Sequence, residues 1–410
     1  MNKFPPPFYA LWIGQGIANL ADSLYTIAMV TMLYTMSGSA TMAASFPLVR
    51  MGAMMLGGFI APLLFERWRL HRILLVSQLG QTMLLAILAI MTSGKLHPLY
   101  SLLLVLCISF LDGWTTPTRN ALLPQLIPSD LLMRGNSWLA TTDQTVMLLG
   151  WASGGLLVTW MGSDTLLWGC VILFSISCLA LAPVRVPKSP SIDATTTPSR
   201  WQTLKQGWLM ILHNPSLRRI TWMDAIETVA SSIWVGAIML VFVKEVLHRG
   251  SIWWSWMNTS YLLGTVLGGV LILALSRLLA HRLAIGMLIG STCNSFLVLL
   301  FALVPYPFVS LALCVLMGPC YQLRDITQQT LFQQAIPADV LPKAFSAHGT
   351  LMYGIFGLGV VINGAIADHF GARSVYLVAS VLLISSVLIG APMLKNQPSS
   401  AKTRSSITNL

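Results

Sequence analysis

Twelve stretches of the chain read as predominantly apolar runs: 8–36, 42–65, 71–93, 98–122, 135–160, 165–183, 218–244, 252–276, 280–303, 306–334, 342–367 and 372–394. Each is close to the ~20 residues that an α-helix needs to cross the ~30 Å hydrocarbon layer of a bilayer. Inside the first run the polar residues keep a helical period. Gln15, Asn19, Asp22 and Thr26 fall at i, i+4, i+7 and i+11, which is one stripe on one helix. The pattern predicts an all-α polytopic membrane protein with twelve transmembrane helices, its polar stripes turned inward and its apolar surface turned to lipid.

The runs form two copies. RNALLPQLIPSDLLMRGNS at 119–137 lies over QQTLFQQAIPADVLPKAFS at 328–346, with Leu122, Gln125, Ile127, Pro128, Asp130, Leu132 and Ser137 matching Leu331, Gln334, Ile336, Pro337, Asp339, Leu341 and Ser346. GGFIAPLLFERWRLHR at 57–72 resembles GGVLILALSRLLAHR at 268–282 with one residue deleted, and Leu11-Trp12 aligns with Thr221-Trp222. Runs 1–6 and 7–12 are therefore expected to be two pseudo-symmetric six-helix bundles in parallel orientation. Such repeats are a transporter architecture whose substrate site lies near the midplane between the halves. The expected units are 1–183, a linker 184–217, 218–394 and a tail 395–410. The linker is Pro/Ser/Thr-rich over 184–199. It then reads WQTLKQGWLMILHN, where Trp201, Leu204, Trp208 and Ile211 share a helical face opposite Lys205. That predicts a helix lying on the membrane surface, the alternative being a frayed start to run 7.

Composition agrees: 55% of residues are hydrophobic and 9% charged, with mean hydropathy +0.74, against roughly 25% charged in soluble domains. The net charge of +11 does not point to nucleic acid, because the charges sort by side. Of the 24 Lys and Arg, Arg50, Arg119 and Arg324 lie within the spans, 17 fall on the side of the termini, and only Lys95, Lys244, Arg249 and Arg373 fall on the other. This is the positive-inside pattern, and it places both termini in the cytoplasm. The six Cys (107, 170, 178, 293, 314, 320) all sit in runs, without disulfide or metal spacing, and read as small apolar packers. No small-residue cleavage site closes the first run and Asp22 interrupts it, so a retained first span is expected.

Three stretches carry a family resemblance: LWIGQGIANLADSLYTIAM at 11–29, ERWRLHRILL at 66–75 and PTRNALLPQLIPSDLLMRGNS at 117–137. They resemble the major facilitator superfamily and, within it, the drug:proton antiporter group that includes the macrolide efflux proteins and the enterobactin exporter. The resemblance implies the major facilitator fold, a bacterial inner-membrane location, a monomer, and a gating loop at Glu66, Arg67, Arg69, His71 and Arg72. The chain departs from the pattern at Pro62 and Glu66, where the family's loop has Gly and Asp. It also departs at Trp151 within GWASGG, where the antiporter motif has Pro. Gly150, Gly154 and Gly155 keep that motif's small-residue face, which close helix packing needs.

An ionisable group at the bilayer centre costs roughly 2.5–3.5 kcal/mol on insertion scales, so those inside the runs are functional candidates. Asp22 is the first, either as a proton site, as a partner for a cationic substrate, or as a structural ion pair. Taking a carboxylate out of water favours its neutral form. Arg50 is its obvious counter-charge, unless it snorkels to the surface. Asp224 and Glu227 share a face of run 7. Glu227 is the second proton-site candidate, and Asp224 is either a third or a cap near Arg218 and Arg219. Asp112 and Arg119 share a face of run 4, Arg119 serving either an inner-gate salt bridge or coupling. Arg324 and Asp325 are adjacent, so they point apart and each needs a partner elsewhere. Asp143 is a possible partner for one of the two arginines, Arg119 or Arg324. His348 reads as a polar packer. Gln15, Asn19, Thr26, Arg50, Arg324, Trp114 and Trp234 are the candidate substrate-cavity residues. Trp12, Trp138, Trp151 and Trp222 are weaker ones. Glu66, Arg67, Arg72, Asp112, Arg119, Asp143 and Asp325 are the candidate gate and salt-bridge residues.

The function expected is proton-coupled export of amphiphilic small molecules by alternating access, with the proton gradient as energy source and no cofactor or metal. Siderophore or metallophore export, which wants Arg50, Arg119 and Arg324 in the cavity, is one alternative. A lysophospholipid flippase is another. No H-E-x-x-H, G-x-S-x-G or paired metal ligands support an intramembrane enzyme.

Overall fold

The computed structural model describes residues 3–92, 98–185, 199–234 and 236–396. Among the described residues every predicted run is helical: α1 Pro6–Ser37, α2 Ala40–Ile60, α3 Leu70–Thr92, α4 Pro98–Leu126, α5 over 132–161, α6 over 163–181, α7 in two pieces over 215–234 and 236–245, α8 Ser251–Leu279, α9 Leu283–Leu303, α10 Pro307–Ala335, α11 Leu341–Phe370 and α12 Ala372–Gly390. Nine helical stretches among the described residues are long and apolar enough to cross a membrane, and the bent α7 makes ten. One of these, Ser129–Leu181, is two spans folded at Gly162, where φ is 80°. The last, α10, is 29 residues long but polar over 321–329. Large apolar side chains such as Leu48, Met83, Leu179, Phe296 and Leu358 point outward, as a lipid-facing surface requires.

The sequence repeat reappears as geometry. Gly162 and Gly371, 209 positions apart, both stand at φ 80° and turn α5 into α6 and α11 into α12, a conformation that costs a residue with a Cβ dearly. The paired glycines of the second repeat do two separate jobs. A Cβ on Gly57 would lie 2.1 Å from the Phe110 carbonyl oxygen, and one on Gly268 would lie 2.5 Å from Pro319 Cα, both within their own halves. A Cβ on Gly58 would meet Thr350 at 3.0 Å, and one on Gly269 would meet Thr141 at 2.3 Å, both across the halves. Thr141 and Thr350 are themselves repeat partners. The first glycine of each pair lets α2 approach α4 and α8 approach α10. The second lets α2 approach α11 and α8 approach α5.

Twelve crossings put both chain ends on one face, called here the terminal face. Near it apolar clusters join the halves, with Leu11, Leu74 and Leu122 packed with Met287, Phe332 and Leu341, and Met133 packed with Ile272, Leu283 and Ile326. Deeper toward the opposite face the clusters separate by half. Tyr25, Phe46 and Leu88 belong to one, and Phe242, Phe301 and Tyr376 to the other. Among the described residues the hydrogen bonds between halves run from mid-span to the terminal face: Gln144–Thr265 at 3.2 Å, Asn136–Thr330 at 2.9 Å, and Ser346 Oγ to the Gly58 carbonyl at 2.6 Å. The molecule is closed at the terminal face.

The linker helix, Arg200–His213, starts at Ser199, whose backbone N–H is capped by Gln202 Oε1 at 3.0 Å. Its buried stripe is Thr203, Gly207 and Ile211, not the whole predicted face. Trp201 is exposed, because the close contact with the protein is made by Gly207, where a Cβ would lie 2.2 Å from the Lys343 carbonyl oxygen. The Pro/Ser/Thr-rich linker stretch and almost all of the tail lie outside the described residues, as does Lys95.

Candidate functional site

α1 places Asp22 sixteen residues from its start, about 24 Å along the axis at 1.5 Å per residue, near the middle of the span. Arg50 on α2 reaches it. Its Nη2 lies 2.6 Å from Asp22 Oδ2 and 3.4 Å from Asp112 Oδ2 on α4, and its Nη1 donates to Thr26 Oγ1 at 2.9 Å. The expected pair thus forms, and snorkelling does not occur. One guanidinium is held by two carboxylates. Beside it, Asn19 Nδ2 donates to Asp143 Oδ1 at 2.6 Å, and Arg119 Nη1 to Asp143 Oδ2 at 2.8 Å. Arg119 therefore pairs within its own half, through α5, and forms no bridge across the gate.

The second half repeats the motif with different residues. Arg324 on α10 bonds Asp224 on α7 through Nη2, and its Nε lies 2.7 Å from Glu227 Oε2. That second contact is one of charge, since the Nε–H is not aimed at an acceptor. Gln328 on α10 donates to Asp224 and accepts from Arg324 at 2.6 Å, and His348 Nε2 on α11 lies 2.7 Å from Asp224 Oδ2. Ser291 and Ser386 donate to Glu227 Oε1 at 3.0 and 2.5 Å. Asp224 is 5% exposed, so it is not a surface cap beside Arg218 and Arg219. The partner of Arg324 is this pair of acids, and Asp143, expected to pair with one of the two arginines, pairs with Arg119. His348 is more than a packer.

At the terminal face Lys343 of α11 pairs with Glu66 of the α2–α3 loop, and donates to Gln206 of the linker helix at 2.6 Å. Glu66 is thus the cross-half member of the predicted gate, while Arg67 and Arg72 are exposed and make no ion pair. Lys343 is only 6% exposed, while the Glu66 side chain is 34% exposed, so the pair is buried on the Lys343 side alone.

A cavity of about 300 Å³ lies between the halves, lined by Asp224, Glu227, Arg324, Asp325 and His348 together with Gly58, Gly113 and Asn120 from the first half. Among the described residues Asp325 has no hydrogen bond or ion pair, so the expected partner is missing. Of the other predicted cavity residues, Gln15 is fully buried, and Asn19, Thr26 and Arg50 sit in the first ion network. Trp114 packs edge-on against Phe110 at 5.5 Å. Trp234 stacks with Tyr261 at 5.7 Å inside the second half's aromatic cluster. None of these six lines this cavity. Trp12 donates to Thr142 at 2.7 Å and packs on Trp138, and Trp151 and Trp222 are exposed. Gln328 and Lys343 are residues that sequence reasoning passed over, and His348 reads there only as a polar packer. All three lie in or beside the repeat stretch 328–346.

A family model for the Major Facilitator Superfamily matches residues 11–357. The protein described as "Uncharacterized MFS-type transporter YfmI" of Bacillus subtilis (strain 168) is 33% identical over 401 residues, spanning 95% of this chain and 96% of its own. Macrolide efflux protein A of Streptococcus pyogenes is 21% identical over 400 residues, spanning 96% and 97%. Among solved structures, a bacterial homologue of the iron transporter ferroportin, in an outward-facing state with soaked iron, superposes with a TM-score of 0.76. It is 12% identical, over 94% of this chain and 98% of that one. At that identity the likeness speaks for the fold.

Proposed function

The chain belongs to the major facilitator superfamily, and from that premise we propose that it exports amphiphilic small molecules by alternating access, driven by protons moving the other way. It is a multi-pass membrane transporter and not an enzyme. One observation carries the finer reading: each half holds a single guanidinium between two carboxylates, Arg50 between Asp22 and Asp112, and Arg324 between Asp224 and Glu227. With all four acids ionised, each network keeps one uncompensated negative charge where water is scarce. Such a charge needs a cation, and a proton is the smallest one available.

Protonating Asp22 would remove one of the two anions that hold Arg50. Arg50 and Gly58 lie on the same helix eight residues apart, about 12 Å, and Gly58 touches Thr350 of the other half. A change in how α2 is tethered to α1 is therefore transmitted to the α2–α11 contact that closes the terminal face. A ligand shifts a two-state equilibrium only by binding the two states differently, and a proton at this network does so.

Anionic cargo is disfavoured. Arg50, Arg119 and Arg324 are each held by carboxylates of this chain, and only Arg324 lines the cavity. We place the terminal face in the cytoplasm on the distribution of Lys and Arg, in a cell membrane and as a monomer, as the family resemblance implies.

Proteoliposomes with an imposed pH gradient test the reading. Lumen pH is followed while cationic dyes, macrolides, citrate-type siderophores and lysolipids are added in turn. We expect one amphiphile class to trigger proton flux, and the Asp22→Asn variant to lose at least about tenfold of it while still inserting and folding. Wild-type flux in that variant would remove Asp22 from the mechanism. Gradient-independent exchange would retire proton coupling.

A further inference from the structure

Among the described residues every acid of the central region but one is paired. Asp22 and Asp112 share Arg50, Asp143 holds Arg119, and Asp224 and Glu227 share Arg324. Asp325 is the exception. It lines the cavity between the halves, makes no hydrogen bond or ion pair among the described residues, and has no carboxylate oxygen sealed from that space. It lies within electrostatic reach of Arg324 and Asp224 on its own half and of Asp143 and Arg119 on the other. It therefore stands at the boundary that alternating access opens and closes.

The rest of the wall favours a cation as well. Asp224, Glu227 and Asp325 face one arginine, so the wall stays negative even with His348 charged. Arg324 is occupied by two carboxylates and Gln328, which leaves no donor fork for an anion. Tyr321, Tyr353, Phe332 and Phe345 also line the space, and aromatic faces attract organic cations. At about 300 Å³, the cavity sits at the lower limit of ligand sites, roughly 300–1,000 Å³.

We propose that this cavity binds the substrate as a small organic monocation, with the Asp325 carboxylate as counter-charge to its ammonium group and the aromatic rings around its apolar body. The proposal rests on the transporter reading and names its cargo. One ammonium offsets Asp325, and one proton offsets the excess charge around Arg324.

The test uses trimethyl(phenethyl)ammonium, whose charge does not depend on pH, and its neutral tert-butyl isostere. Binding to the purified full chain in nanodiscs is measured by equilibrium dialysis against empty discs. We expect the ammonium compound to bind at least about tenfold more tightly than the isostere. Asp325→Asn should lose that preference and Asp325→Glu should keep it. Equal binding of the two compounds, no binding of the ammonium compound, or full affinity in Asp325→Asn would overturn the proposal. If Asp325→Asn fails to fold, the wild-type preference alone decides. Normal ammonium binding without pH-driven transport would refute proton coupling and leave this inference standing.

Discussion

The two arginines at mid-span hold more than the acids around them do, and that asymmetry can be measured. Arg50→Gln leaves Asp22 and Asp112 facing each other without a cation, and an uncompensated buried charge costs about 3–5 kcal/mol. Asp22→Asn leaves Arg50 still bonded to Thr26 and near Asp112, so it should cost less. Thermal melting in detergent should rank Arg50→Gln well below Asp22→Asn; equal melting would contradict the shared-guanidinium picture. At this scale the sequence is a good guide to which residues matter and a poor one to whom they meet. The stripe Gln15–Asn19–Asp22–Thr26 led to Arg50, because a polar stripe must find a partner. Asp325 could not be read as unpaired, since adjacency to Arg324 says only that the two point apart. His348 reads as a packer because a lone His in an apolar run has no local pattern, and its partner Asp224 lies on another helix 124 residues away.

Helices carry the repeat in their glycines. Gly58 and Gly269 set two of the crossings between halves, α2 on α11 and α8 on α5. Overpacking a close contact typically costs about 1–3 kcal/mol. Here that penalty falls only on the state in which the crossing is tight. Gly269→Leu should therefore open the terminal face, which a membrane-impermeant thiol reagent would report as faster labelling of a cysteine placed at Ser346. Unchanged labelling would mean that the crossing does not hold the gate. Gly207→Val should lift the linker helix from Lys343 and weaken the Glu66–Lys343–Gln206 cluster, with the same readout. Boundaries of the spans and the doubling of the chain were legible, because hydropathy and self-similarity are local signals. The contact face of the linker helix was not. In a membrane protein lipid takes the apolar stripe, and the protein takes the small residue that lets backbones approach.

As a whole the molecule is two bundles joined at one face and separate toward the other, and the charge state of the two buried networks is what we hold to set which face is open. Sequence patterning anticipated the bundles, while the closed face emerged only from contacts between segments 288 and 277 residues apart, Ser346 on Gly58 and Lys343 on Glu66. The most direct test is a distance measurement across the opposite face. Spin labels would replace the exposed Trp160, near the end of α5, and Ile252, at the start of α8, with the distance followed by electron double resonance. Acidification should shorten it as that face closes around protonated acids, and Asp22→Asn should hold it short at every pH. A distance that ignores both pH and the substitution would contradict the account.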